Sequence, residues 1–181
     1  MPLEIINKPA RLEPTEFTIV KNHSPAGFDY LTKALVGDHD DELLHAVLHH
    51  HEKVDGSGYP YGLSSDKIPL WSRIIAVADV FDALTSNRPY RTPMHAGEAV
   101  EFLMGGAGSN FDFDIIHSFL SKVDVFPLGT KLELSDGTMA VVYNNENTLR
   151  PVIMLVPGGE ILDLARDKNC RNIIITRVIT D

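Results

Sequence analysis

Cysteine is nearly absent from this 181-residue chain, where Cys170 stands alone. An intrachain disulfide is therefore excluded, and a reducing compartment is the expected setting. No apolar run is long enough to cross a bilayer, and the opening residues hold no apolar signal core. Positive charge is scarce as well: 16 Lys and Arg face 25 Asp and Glu, for a formal net charge of -9. With no basic block, the chain is not expected to take a nucleic-acid backbone as its partner. A small anionic ligand stays open, because a local pocket of arginine and metal can oppose the global sign. Neither an internal repeat nor a low-complexity linker is present. What the chain does have is an ordinary globular share of hydrophobic residues, 44%, which argues against disorder. The length suits one sizeable domain, or one of ordinary size plus a small one. These features predict a cytoplasmic protein without a membrane span in this chain.

The pattern changes character near Asp124. Before it, apolar residues recur at helical spacing, which predicts helices over Pro14–Asn22, Pro25–Val36, Asp41–Glu52, Leu70–Ser86, His95–Met104 and Asp112–Val123. Pro14 and Pro25 suit a first helical turn, and Gly37 suits a helix end. After Asp124, short runs holding Leu132, Leu134, Val141, Val142, Val152, Ile153 and Met154 are separated by Asp136-Gly137, Asn144-Asn145 and Gly158-Gly159. Such dipeptides are hairpin signals. A further strand is expected over Ile173–Ile179. The fold class is thus mainly α, a helical bundle followed by a small antiparallel β domain (α+β overall). The division is expected as residues 1–123 and 124–181, the second a β-barrel or sandwich.

The chemistry concentrates in "HHHEKVDGSGYPYG", His49 to Gly62. Within Asp41–Glu52 the apolar stripe is Leu43, Leu44, Val47 and Leu48. His50 and His51 continue it at helical spacing, while His49 falls on another face with Glu42, His45 and Ala46. A single histidine on an apolar face is usually a hydrogen-bonded core residue. Two adjacent inward ones before a glycine turn point instead to metal ligation. His45 and His49 are expected on the solvated surface. A second anomaly is "LWSRIIAVADVFDALTS", apolar nearly all round and so expected to be buried, yet holding Asp79 and Asp82 on one face. Buried carboxylates need a partner: either arginines such as Arg73 and Arg88, or, for Asp79, a metal shared with imidazoles. A mixed imidazole and carboxylate set suits Fe, Mn, Ni or Zn.

Three ordered segments, "LEIINKPARLEPTEFTIVKNHSPAG", "HHHEKVDGSGYP" and "IIAVADVFDALTSNRPYR", together resemble the HD-GYP family of metal-dependent phosphohydrolases, over roughly Leu3 to Val123. The resemblance implies a bacterial phosphodiesterase that hydrolyses cyclic di-GMP to pGpG or GMP. It implies metal ligands at His23, His50, His51 and Asp79, with catalysis centred on His50, His51 and Asp79. Gly58, Tyr59 and Pro60 form the signature loop, and Arg88 and Arg91 match the family's phosphate-contacting positions. Divalent ions, iron or manganese first and nickel or zinc next, would neutralise the phosphodiester and acidify a water. Asp82 and Glu52 are the expected acceptors for the histidines' second nitrogens. Implied partners are a cyclic dinucleotide, a second copy of the chain, and a GGDEF-type cyclase or another signalling protein.

The motif that names this family, a His-Asp pair closely followed by Gly-Lys, would lie just before "PLEIINKP", where this chain starts. His39-Asp40 sits after His23 and cannot stand in for it. Smaller departures are Val54, Ser72 and Phe113, none at a ligand position. Slow or absent hydrolysis by this chain alone is the resulting expectation, with activity in a longer parent. The alternative is a degenerate, non-catalytic nucleotide-binding or protein-interaction domain.

Overall fold

The structure, a computed structural model, describes residues 2–35, 40–88 and 92–179. Its contacts divide the chain into a helical unit, residues 1–94 and 101–117, and a β-rich unit, residues 95–100 and 118–181. Residues 95–100 and 118–123 thus go with the strands, whereas the sequence places the whole stretch before residue 124 with the helices.

The helical unit opens with a single turn, α1 (Leu3–Ile6), followed by α2 (Pro14–Lys21) and α3 (His23–Ala34). Pro14 occupies the first turn of α2, where its missing N–H has no intrahelical partner to lose. Glu16 closes a capping box by accepting the Glu13 N–H at 2.7 Å, and Lys8 donates to the same carboxylate. Helix α4 (Asp41–His49) starts at Asp40, whose side chain accepts the Glu42 N–H at 2.9 Å. Gly37 and His39 lie outside the described residues.

Helix α3 meets α4 closely at Gly27, where a Cβ would stand 3.1 Å from the Val47 side chain. Helix α5 (Leu70–Thr85) packs Ser72, Ala76, Val77 and Leu84 inward, and Ser72 Oγ donates to the His45 carbonyl at 3.1 Å. The expectation of an all-round buried helix is corrected here. Leu70, Trp71, Ile75, Asp79 and Asp82 face outward, because one side of α5 alone is covered by other elements of the unit. Leu43, assigned to the apolar stripe of α4, is likewise exposed. Helices α6 (Ala96–Gly105) and α7 (Phe113–Leu120) follow.

In the β-rich unit, β1 (Lys131–Leu134), β2 (Met139–Asn144), β3 (Val152–Val156), β4 (Ile161–Asp163) and β5 (Ile175–Ile179) form one antiparallel sheet in the order β4-β3-β2-β1-β5. Strands β4 and β5 are its edges, so the arrangement is a single sheet where a barrel or sandwich was expected. The β1–β2 hairpin turns at Asp136-Gly137, with Gly137 at φ 80° and Asp136 accepting the Thr138 N–H at 2.9 Å. The β3–β4 turn holds Gly158 and Gly159, both at positive φ. Leu132, Leu134, Ala140, Val142 and Ile153 alternate inward to form the core, with Leu164 and Cys170. Arg150 spans this unit's loops, donating to the carbonyls of Leu164 (2.7 Å) and Cys170 (2.9 Å).

Candidate metal centre

Helix α4 ends at His49, and the chain then turns back on itself through residues 50–64. His50 is the C-cap, and its ring turns back to the Val47 carbonyl of the last helical turn. His23, the first residue of α3, comes from the neighbouring helix. The His23 and His50 Nε2 atoms lie 3.2 Å apart, and His51 Nε2 lies 3.2 Å from His23 Nε2. One donor atom from each of these three rings falls within 4.8 Å of the others.

Their protonation follows from the far side of each ring. His23 Nδ1 lies 2.7 Å from the Val20 carbonyl, and His50 Nδ1 lies 2.8 Å from the Val47 carbonyl. A carbonyl can only accept, so Nδ1 carries a proton in both rings, and in the neutral form of each ring Nε2 is the nitrogen that offers a lone pair. The orienting acceptors are therefore backbone carbonyls and not the expected carboxylates. Asp82 instead accepts from Ser86 and lies 3.6 Å from Arg88. Glu52 is used elsewhere. Burial pushes the His51 pKa down to about 3, reinforced by His50 and His23, so this ring is neutral near pH 7. Burial also lowers His50, opposed by the Val47 carbonyl and by the Asp79 charge, with His23 adding to the lowering.

Inward lone pairs at such distances repel one another unless a proton or cation stands between them. The donor set thus fits a divalent metal of the borderline type that favours imidazole. Asp79 lies outside the tight group of three donors. It is exposed on α5, near enough for its charge to act on both His50 and Tyr59. Arg88 is exposed and engaged with Asp82. Arg91 lies outside the described residues.

The glycine loop holds the histidines in place. Glu52 is 3% exposed, and its carboxylate accepts the N–H groups of Tyr61 (2.8 Å) and Leu63 (2.9 Å), which closes the loop over the end of α4. At Gly58 a Cβ would stand 2.4 Å from the Lys53 nitrogen and 2.5 Å from the Glu52 Cα, so only glycine fits. Gly56 and Gly62 take positive φ, at 81° and 68°. The Tyr59–Pro60 bond is cis. Tyr59 donates its N–H to the His51 carbonyl at 3.1 Å, and its ring lies 4.7 Å from that of His51 at 31°. Burial, then the Asp79 charge, raises the Tyr59 phenol to about 12, so it stays protonated as a hydrogen-bond donor.

The placement of His49 on the solvated surface is also corrected. His49 is 7% exposed, stacked on His45 at 5.5 Å and capped by Tyr61, because the returning loop covers the face of α4 on which it lies. Burial lowers its pKa, so His49 faces Glu52 at 4.0 Å as a neutral ring and not as an ion-pair partner. Its Nδ1 has no hydrogen-bond partner among the described residues. Sequence reasoning also passed over Phe17 and Lys21 on α2. Their i, i+4 spacing, two residues before His23, was the available signal.

Fold and site together define a helical domain with a histidine centre able to hold a metal ion. The HD domain family matches residues 1–115, and the chain belongs to that family, in its HD-GYP branch. It is 35% identical to a cyclic di-GMP phosphodiesterase of Pseudomonas aeruginosa, over 93% of this chain and 39% of that protein. It is 43% identical to a probable cyclic di-GMP phosphodiesterase of Vibrio cholerae, over 70% of this chain and 30% of that protein. A 3'3'-cGAMP-specific phosphodiesterase of the same organism is 41% identical over 56% of the chain and 23% of its own length. The chain thus spans well under half the length of each of these relatives. No helix among the described residues is long and apolar enough to cross a membrane.

Proposed function

We propose that this chain serves metal-dependent hydrolysis of a cyclic dinucleotide, cyclic di-GMP first, with iron or manganese as the ion. The observation that carries the reading is the convergence of the His23, His50 and His51 Nε2 atoms, two of them fixed as lone-pair donors by backbone carbonyls. When bound, a divalent ion supplies Lewis acidity toward a phosphodiester oxygen and lowers the pKa of a water. His23, His50 and His51 would hold the ion, and Asp79, whose charge reaches His50, would add a carboxylate. Tyr59 buttresses His51 with its ring and keeps a phenolic proton to donate. Gly58 and Glu52 shape the loop on which that buttress depends. Arg88 and Arg91 are assigned to substrate phosphate, Arg88 by exchanging Asp82 for it.

Relatives of this chain bear names for two cyclic dinucleotides, so the assay compares both. The purified chain, loaded in turn with iron, manganese, nickel and zinc, is titrated with cyclic di-GMP and with 3'3'-cGAMP. Products are separated by chromatography. Metal uptake abolished by His51→Ala, with preferential binding or turnover of cyclic di-GMP, supports the reading. Failure of the unchanged chain to bind any of these ions refutes it.

A further inference from the structure

A cyclic dinucleotide carries two phosphodiester charges, and the chain that would receive it has a formal net charge of -9. Local cations must therefore oppose the global sign. Arg88 is exposed and shares its charge with Asp82. Lys21 differs from it. Its ammonium stands 5.0 Å from the centre of the Phe17 ring and 5.4 Å from that of Tyr59. It has no carboxylate partner among the described residues. Tyr59 in turn lies against His51, one of the three converging histidines. Phe17 and Tyr59 meet edge to face at 6.3 Å, so the two rings form one continuous shelf beneath the ammonium.

The physical consequence is specific. Aromatic faces hold a cation through their quadrupoles without neutralising it and without using its N–H donors. A lysine held by a carboxylate would already have spent both. Phe17 and Lys21 sit one helical turn apart on α2, so the helix itself sets the position of the ammonium. This same helix supplies the Val20 carbonyl that orients His23. Cation, shelf and histidine centre are thus joined by short, defined links.

We propose that Lys21 is a phosphate-binding residue of this site, held on the Phe17–Tyr59 shelf to take a phosphodiester oxygen of the ligand beside the three histidines. The proposal rests on the cyclic-dinucleotide reading above and adds to it a residue and a role. No bond is made or broken by Lys21; its part is to position the anion by a charge-assisted hydrogen bond.

The test uses the full chain with manganese and cyclic di-GMP as the probe, read by titration calorimetry. Lys21→Met keeps the apolar stem on the two rings and removes the charge. Lys21→Arg keeps the charge. Lys21→Met should weaken cyclic di-GMP binding about ten- to hundredfold and flatten its dependence on salt. Lys21→Arg should stay near the unchanged chain. Manganese affinity, measured without nucleotide, should be the same in all three, which separates loss of a phosphate contact from collapse of the site. If Lys21→Met binds the dinucleotide as tightly as the unchanged chain, or loses manganese affinity in parallel, the assignment is overturned. If the unchanged chain binds manganese but no cyclic dinucleotide, the substrate reading itself falls and takes the Lys21 role with it. These two failures are distinguished by the unchanged chain alone.

Discussion

The helical unit and the β-rich unit differ in the polar side chains they bury. In the β-rich unit the described interior is apolar: Leu132, Leu134, Ala140, Val142, Ile153 and Leu164 are all at most 2% exposed. Its β1–β2 and β3–β4 connections are tight turns, and longer segments join β2 to β3 and β4 to β5. In the helical unit, buried positions are also given to Ser24, His49, Glu52 and Ser72, while both units leave large apolar side chains exposed, Trp71 and Ile75 in one and Leu128 and Ile174 in the other. A unit built for packing alone would not bury those four side chains, since burying polar groups costs free energy unless each finds a partner. The helical unit spends stability on holding imidazoles and a loop in a set geometry.

That contrast can be broken by experiment. The largest effect is expected from Leu132→Ala, a cavity in the sheet core worth about 2–5 kcal/mol. Thermal denaturation should show the loss, while metal affinity measured by calorimetry stays as it was. Loss of both together would merge the two units into one energetic whole. Next comes His51→Ala, which should lower metal affinity by roughly a hundredfold or more, since even a residue supporting a ligand is worth about ten- to hundredfold. His49→Ala should do the reverse, costing stability through a buried cavity and leaving metal uptake nearly unchanged.

Glu52→Gln should cost about 1.5–3 kcal/mol, the range for hydrogen bonds to a charged group. Hydrogen exchange at the Tyr61 and Leu63 amides would show whether the loop loosens there before the helices do. Acid sensitivity should be smaller. Burial tends to raise Asp112, but Arg73 at 2.5 Å and the N–H groups of Ile115 and Asp114 outweigh it, so its carboxyl titrates below the ordinary range. A lowered folded pKa means stability that is present above about pH 4, the ordinary Asp value, and is lost as pH falls through the folded value. Asp112→Asn should therefore flatten the acid limb of a stability-against-pH curve; an unchanged limb would remove Asp112 from the account. Smallest of all is Arg177→Ala, which removes an exposed pair with Glu133 at 3.0 Å. No more than about 1 kcal/mol is expected there.

Much of this is legible in the amino-acid sequence. The turns at Asp136-Gly137 and Gly158-Gly159 could be read because positive φ is a local demand that glycine alone meets cheaply. Helices α2 to α7 could be read from apolar spacing, with ends off by only a few residues where caps and tertiary contacts compete, whereas the single turn α1 could not. His23, His50 and His51 could be grouped by motif, although 27 residues separate His23 from His50. The environment of each ring could not. His49 looked solvated because helical geometry alone puts it off the apolar stripe, and only the returning loop buries it. Asp79 looked buried because its helix is apolar in composition, whereas burial depends on which neighbours arrive.

By itself, then, the sequence determined the elements, the turns, the acidic balance and the identity of the imidazoles. Each of these follows from short-range sterics, spacing or composition. Tertiary structure alone decided that the His23 nitrogen meets those of His50 and His51, that Glu52 closes a loop, and that Lys21 rests on the Tyr59 ring. These depend on distances between residues far apart in the chain, and such distances exist only once the helices have packed.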